Sequence, residues 1–386
     1  MANEKLKVGK VPNLRFPEFK DKWEVKKLGD IATFSKGKGI SKSDIDENGI
    51  NECIRYGELY THYNEVIDKI KSKTNLNKSN LVLSKKNDVI IPASGETTID
   101  IATASCVLKS GIALGGDLNI IKTENNGIFL SYYLNCKKKM EIANLAQGIS
   151  VVHLYSSQLS SLSLAIPKLN EQNKISSFLA LLDKRIQTQN KIIEQLETLI
   201  REFRNQIFNQ RIRFKDVHTN EFSKWREVKI GDILKIGNGK DYKHLQSGKI
   251  PVFGTGGFMD WVNSYLYEGE TVCIGRKGTI NKPMYYNGKI WTVDTLFYTH
   301  SFKSCIPKFV YYLFKSINWL EYNEASGVPS LSKTTIEKIS VNLPSIEGQN
   351  CIASFLSKID QKIEIEKSIL QQLEMQKKYL LKQMFV

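Results

Sequence analysis

Two stretches carry the residue order of half a nuclease site. Glu24-Val25-Lys26 and Glu227-Val228-Lys229 each supply a Glu-x-Lys pair. A two-metal site also needs an acid upstream, and only the second stretch has one at a workable distance, Asp216. The first stretch reads instead as a helix or strand edge beside Trp23. No phosphate-binding G-x-x-x-x-G-K-[ST] loop occurs: the nearest text, Gly237-Asn238-Gly239-Lys240, runs on into Asp241. No two prolines are adjacent, so the Asp/Asn-Pro-Pro-Tyr/Phe motif of amino-methyltransferases is missing. The six cysteines have no C-x-x-C spacing and the five histidines are isolated. Neither set has metal-ligand spacing, and the cysteines read as small buried hydrophobes of a reducing compartment. The expectation is a protein with no catalytic site, no metal and no cofactor of its own.

What the residue types do offer is binding to a polyanion. Lys and Arg number 55 against 40 acids, a net charge of +15, which favours nucleic acid before membrane. The plainer reading is charge kept for solubility. Several loops combine glycine, cations and small polar residues, so that backbone amides can approach a phosphate while Lys and Arg supply charge and Arg can read a guanine edge. In the first half they are FSKGKGISK (34–42), PASGETT (92–98) and AQGISVVHL (146–154), with Lys36, Lys38, Ser94, Thr97, Ser150 and His153 as candidate DNA contacts. In the second half they are IGNGKDYK (236–243), FGTGGF (253–258), GRKGT (275–279) and ASGVPSLS (325–332). Their candidates are Asn238, Lys240, Lys243, Thr255, Arg276, Lys277 and Ser330, Arg276-Lys277 being the sharpest. Any one of these loops, taken alone, reads as a plain turn before it reads as a base contact.

The elements that would hold such loops are written twice. KWEVKKLGDI (22–31) returns as KWREVKIGDI (224–233), with Trp23 matching Trp225, and Gly37-Lys38 matches Gly239-Lys240, all 202 positions on. AIPKLNEQNKISSFLALLDKRI (165–186) returns as NLPSIEGQNCIASFLSKIDQKI (342–363), now 177 positions on. A common frame therefore carries a divergent insert twice, and the second insert is 25 residues shorter. The period is far too long for a solenoid, so each copy is a whole domain plus a connector. The inserts read as mixed α/β. NDVIIPASG (87–95) and ETVCIGRKG (270–278) are strands leading into glycine turns. The segments 127–143 and 307–322 have helical periodicity, their aromatics read as core.

Each connector is a long helix with a heptad seam. Ile175, Leu179, Leu182, Ile186, Ile193, Leu196, Ile200, Phe203 and Ile207 step by four and three, with Gln189 in the gap. Ile352, Leu356, Ile359, Ile363, Leu370, Leu373, Leu380 and Met384 repeat the pattern, with Glu366 in the equivalent gap and Lys377 as a second interruption. That is a coiled-coil seam, the alternative being two amphipathic helices inside one globule. Connectivity predicts an antiparallel pair, a pseudo-twofold axis and a dumbbell with a globular region at each end. Forty residues at about 1.5 Å each give a rod of about 60 Å. The expected divisions are 1–168, 169–213, 214–345 and 346–386, globular regions alternating with helices. The helices carry a net +4, leaving +11 elsewhere.

Two variable regions alternating with two long helices have a counterpart. Each copy opens on Trp…Leu/Ile-Gly-Asp-Ile (Trp23 to Ile31, Trp225 to Ile233) and closes on Pro…Gln-Asn…Phe-Leu…Asp (from Pro167 and Pro344). This pattern resembles the specificity subunits of type I restriction–modification systems over about residues 18–386. The resemblance implies an α/β (α+β) tandem repeat with two target recognition domains, each reading one half of a bipartite, asymmetric DNA site. The helices would act as the spacer; their length matches about 18 base pairs at a rise of ~3.4 Å. It implies double-stranded DNA, two modification (methyltransferase) subunits and restriction (translocase/nuclease) subunits as partners. S-adenosylmethionine, ATP and magnesium would sit on those partners, which methylate adenine at N6. A non-catalytic reader and scaffold in the cytoplasm is thus the expectation. Three readings compete with it: a specificity subunit of a type IIB-like system with fused nuclease and methylase, a modifying enzyme with an unrecognised site, and a coiled-coil interaction protein with no DNA role.

Overall fold

The repeated opening text forms the same element twice. Glu24–Lys27 is a strand paired antiparallel with Ser163–Ile166, and Arg226–Lys229 pairs in the same way with Ser340–Leu343. The Glu-x-Lys residues therefore lie on a strand paired to the end of their own copy, where Glu24 makes a 2.7 Å ion pair with Lys26. The computed structural model describes residues 11–214 and 224–386; Asp216, the acid a nuclease would need, lies outside them. Two units are distinct: residues up to Gln189 with Ile369–Val386, and Asn190–Ser368.

Each unit is knotted together by the same side chains. Gln172 is buried; it accepts a hydrogen bond from the Asn126 amide and donates to the Pro167 carbonyl. Gln349, 177 positions on, accepts from the Ile306 amide and donates to the Pro344 carbonyl. Each glutamine thus couples the start of a long helix to the start of a helix in the insert, beginning at Gly127 and Pro307 respectively. On those helices, Tyr132 donates to Asp183 and Tyr312 to Asp360 at 2.7 Å. Phe129 packs on Trp23 and Phe385, and Phe309 on Trp225 and Phe208. The shared text supplies one side of these contacts, with Trp23 and Trp225, Gln172 and Gln349, and Asp183 and Asp360, and the insert helices supply the other. The first insert helix passes through a π-turn at Leu134–Lys138, where Asn135 bonds both backbone groups of Ala104. The second ends at Ser316, short of the periodicity, because Trp319 folds back to donate to the Phe314 carbonyl.

The long helices are Leu169–Phe208 and Ile346–Met384. Their apolar seam is buried within each unit. In the first unit Ile175 and Leu179 share a core with Leu380 and Met384, with Leu182 against it. In the second, Ile200 and Ile207 share one with Ile352, Leu356 and Ile363, and Leu196, Phe203 and Ile359 pack alongside. Ile193 and Leu373 are also buried, and Ile186 and Leu370 half-buried. The segments run antiparallel in the second unit. Glu197 pairs with Lys367 and Phe203 with Phe355, the partner number falling as the first rises. The polar gaps Gln189 and Glu366 are both buried, Glu366 pairing with Lys362 one turn earlier. Lys377 does not face solvent either. In the first unit it lies between Asp183 (2.7 Å) and Glu65 (3.1 Å), over the ring of Tyr132.

The inserts share a three-stranded start and then part. The first unit places Ala32–Lys36, Leu118–Thr123 and Val89–Pro92 side by side, continuing to Ser105–Val107 and Val66–Ile67. The second places Lys235–Asn238, Leu296–His300 and Tyr267–Gly275 in the same order. It continues through Met284–Thr292 to a hairpin of Ser247–Gly254 and Gly257–Val262. A four-stranded sheet ordered Ser72–Thr74, Asn51–Ile54, Ala113–Leu114, Val82–Leu83 exists only in the first unit among the described residues. The chain is thus an α+β tandem repeat with two long helices. Among the described residues no helix is long and apolar enough to cross a membrane.

Candidate nucleic-acid interface

The basic glycine loops gather at the ends of the three shared strands. Lys36 closes the first strand opposite Asn119, and Asn238 closes its counterpart opposite Phe297. The Ala93 amide donates to Asp117 and the Arg276 amide to Thr295. The Leu154 amide donates to Ala93, and the Leu331 amide to Arg276. His153 pairs with Ser94, and Ser330 with Lys277. Finally the Lys38 amide donates to Leu114 and the Lys240 amide to Thr292. These matched bonds equate Lys36 with Asn238, Lys38 with Lys240, Ser94 with Lys277 and His153 with Ser330. Eight of the thirteen candidates fall into four equivalent pairs, two of which lie outside the opening and closing motifs.

In the first unit the side chains converge on Tyr155. The Lys36 ammonium lies 5.9 Å from its ring centre and His153 stacks on it at 6.5 Å. Lys36, Lys38, His153 and Tyr155 are exposed, whereas Ser94 is buried. Ser150 is exposed on the loop before His153. Thr97 is occupied with structure. Its hydroxyl accepts from the Asp100 amide and donates to the Asp100 carboxylate, capping a one-turn helix. Its distinctive work is that cap.

In the second unit Arg276 and Lys277 leave the sheet together, both exposed. The Arg276 guanidinium sits over Phe297 at 5.9 Å and reaches the Asp294 carbonyl. Asp294 and Thr295 form one wall of an open groove whose other walls are Lys243, Thr255, Phe258 and Met259. Lys240 and Asn238 are exposed beside it, the Lys240 carbonyl accepting from Trp291. Ser330 is held by Asn323, which accepts from its amide. The groove's hairpin exposes Phe258 and Trp261, whose rings meet at 5.1 Å. Sequence reading missed Tyr155, Phe258 and Trp261; the run Phe258-Met259-Asp260-Trp261, apolar on both faces of a strand, was the available signal.

Among the described residues no cluster of His, Cys, Asp or Glu could hold a metal. Buried thiols are pushed up by desolvation, Cys53 and Cys305 to about 11 and Cys106 and Cys273 to about 12.

The type I restriction modification DNA specificity domain matches residues 20–198 and again 222–375. The chain belongs to that family. It is a DNA-recognition subunit of a type I restriction–modification system. The type I restriction enzyme MjaVIII specificity subunit of Methanocaldococcus jannaschii is 26% identical, over 95% of this chain and 92% of the relative. The putative type I restriction enzyme MjaX specificity subunit of the same organism is 24% identical, over 98% and 94%. The crystal structure of a type I restriction–modification S subunit from M. genitalium superposes with a TM-score of 0.69 at 20% identity, covering 98% of this chain and 99% of the other. A chain from a study of type I system assembly and conformational transition gives 0.56 at 14%, covering 93% and 96%. Both share the fold of this specificity subunit.

Proposed function

We propose that this specificity subunit reads a bipartite DNA site, one half with each unit, through the loop cluster at the end of the three shared strands. The observation that carries this reading is the pairing of Lys36, Lys38, Ser94 and His153 with Asn238, Lys240, Lys277 and Ser330 by matched backbone bonds. One face is built twice with different side chains, so the half-sites differ in sequence. Lys36, Lys38, Lys240, Lys243 and Lys277 neutralise phosphates. Arg276, braced on Phe297, reads a base edge. Ser94 acts through its backbone pairing with His153, because its side chain is buried. Ser150, Asn238, Thr255 and Ser330 supply polar contacts, and Thr97 holds its loop in place.

The divisions 1–168, 169–213, 214–345 and 346–386 fit this reading as recognition domain, helix, recognition domain, helix. The subunit is non-catalytic and cytoplasmic, and it assembles with two methyltransferase subunits and with restriction subunits. S-adenosylmethionine, ATP and magnesium belong to those partners. The test is selection from a randomised duplex pool by the chain co-purified with its methyltransferase. The expected product is a gapped motif with two unlike halves. A single uninterrupted motif, or enrichment of none, would reject the proposal.

A further inference from the structure

Both units present an aliphatic side chain to solvent on the loop that closes at His153 or Ser330. In the first unit Gln147 and His153 exchange both backbone hydrogen bonds, at 2.9 and 2.7 Å, pinching off the loop between them. Gly148 makes its turn at φ +130°, with no room for a side chain: a Cβ would lie 2.1 Å from the Val151 carbonyl. The next residue, Ile149, is 100% exposed; Val151, which is as far from His153 as Val328 is from Ser330, is 51% exposed. In the second unit Asn323 accepts from the amides of Ala325 and Ser330 and donates to the Ala325 carbonyl. The Pro329 carbonyl accepts from Gly278, in the Arg276-Lys277 turn. Here too the residue after a glycine is aliphatic and exposed: Val328, at 55%.

A lone exposed aliphatic is ordinary. Its recurrence is not. The two loops differ in length, yet around the apolar residue both keep Ala-x-Gly-aliphatic, Ala146 to Ile149 and Ala325 to Val328. Each closes on an equivalent residue, His153 or Ser330, and on an equivalent buried leucine, Leu154 or Leu331. Each also abuts the cationic cluster of its unit. Isoleucine and valine can neither stack on a base as an aromatic would nor donate a hydrogen bond. Their β-branched side chains are stiff, so little freedom is lost on contact. The exposed apolar group of a duplex, carried on a base edge in the major groove, is the C5 methyl of thymine.

We propose that Ile149 and Val328 each read the C5 methyl of a thymine, one in each half-site. This rests on the reading of each unit as a half-site reader. The test uses the chain in complex with its methyltransferase and a duplex carrying the selected motif. Each thymine of the motif is replaced singly by deoxyuridine, which lacks only the methyl. At one thymine in each half-site the affinity should fall about fourfold, the worth of removing one buried methyl from contact. Ile149→Ala should abolish that penalty in one half-site and leave it in the other; Val328→Ala should do the converse. Both side chains are exposed, so the variants should keep wild-type affinity for unrelated duplex, which is set by phosphate contacts. Penalties that persist unchanged in both variants would overturn the inference, as would half-sites in which no thymine shows one. A wild-type complex that selects no gapped motif would instead reject the half-site reading itself.

Discussion

At the scale of single residues, the frame is held by a few buried polar side chains and the face is varied around them. Gln349 satisfies the Ile306 amide and the carbonyls of Ser304 and Pro344. Replacing it with leucine leaves all three without that partner and should cost about 2 kcal/mol in urea denaturation, the range for stranding buried hydrogen-bonding groups. The equivalent Gln172→Leu should cost as much. Four of the six cysteines are buried with raised pKa values, as the sequence suggests, whereas Cys136 is half-buried and Cys351 is exposed, against that reading. A thiol reagent at neutral pH should therefore modify Cys351 fast and those four only on unfolding, which mass mapping would check. Lys36 and Asn238, or Lys38 and Lys240, were legible as equivalents because they keep the 202-residue offset of the opening motif. Ser94 with Lys277 and His153 with Ser330 were not. The first pair falls after inserts of unequal length, where a brief match of Val89, Ile91 and Gly95 with Val272, Ile274 and Gly278 gains its meaning from the hydrogen-bond pattern. The second keeps the closing offset, but beside it only Leu154 and Leu331 match.

At the scale of elements, the seams were written plainly and their exceptions were not. Lys377 breaks the heptad in sequence, and its partner Glu65 lies 312 residues away, so no local pattern could announce it. Burial lowers its pKa, but Glu65 and Asp183 outweigh burial and leave it raised. A lysine whose folded pKa is raised stabilises fully below its unfolded value, about 10.4, and the stabilisation is lost as pH rises through the folded value. The first unit should therefore weaken above about pH 10. Lys377→Met should cost about 3 kcal/mol at neutral pH by stranding two carboxylates. The loss should shrink when Glu65→Gln and Asp183→Asn are added; urea denaturation of the three variants checks it. The glycine that leads out of the first strand is equally constrained. A Cβ on Gly239 would lie 1.9 Å from the Val293 carbonyl. Gly239→Ala should cost about 2 kcal/mol, as overpacking does, and should lower duplex affinity by displacing Asn238 and Lys240.

At the scale of the whole molecule, a single chain folds the same frame twice and carries most of its positive charge outside the long helices. Affinity for duplex should then be dominated by counterion release, log K falling with log salt by about 0.9 for each phosphate neutralised. Lys277→Ala should reduce that slope by about one contact, measured by titrations at four or five salt concentrations. The repeat, the helices and the missing catalytic motifs were all open to sequence reading, because they rest on spacing and residue type. How the candidate contact residues come together was not, because they sit in the divergent inserts, where the fold rather than the text brings them together. The most direct test of two readers in one chain is genome-wide mapping of N6-methyladenine in cells expressing the chain with its methyltransferase. The wild type is compared with Arg276→Ala/Lys277→Ala and with Lys36→Ala/His153→Ala. The account predicts a gapped motif in which each double variant relaxes or abolishes recognition of one half, a different half for each. Variants that alter the same half, or both halves together, would contradict it.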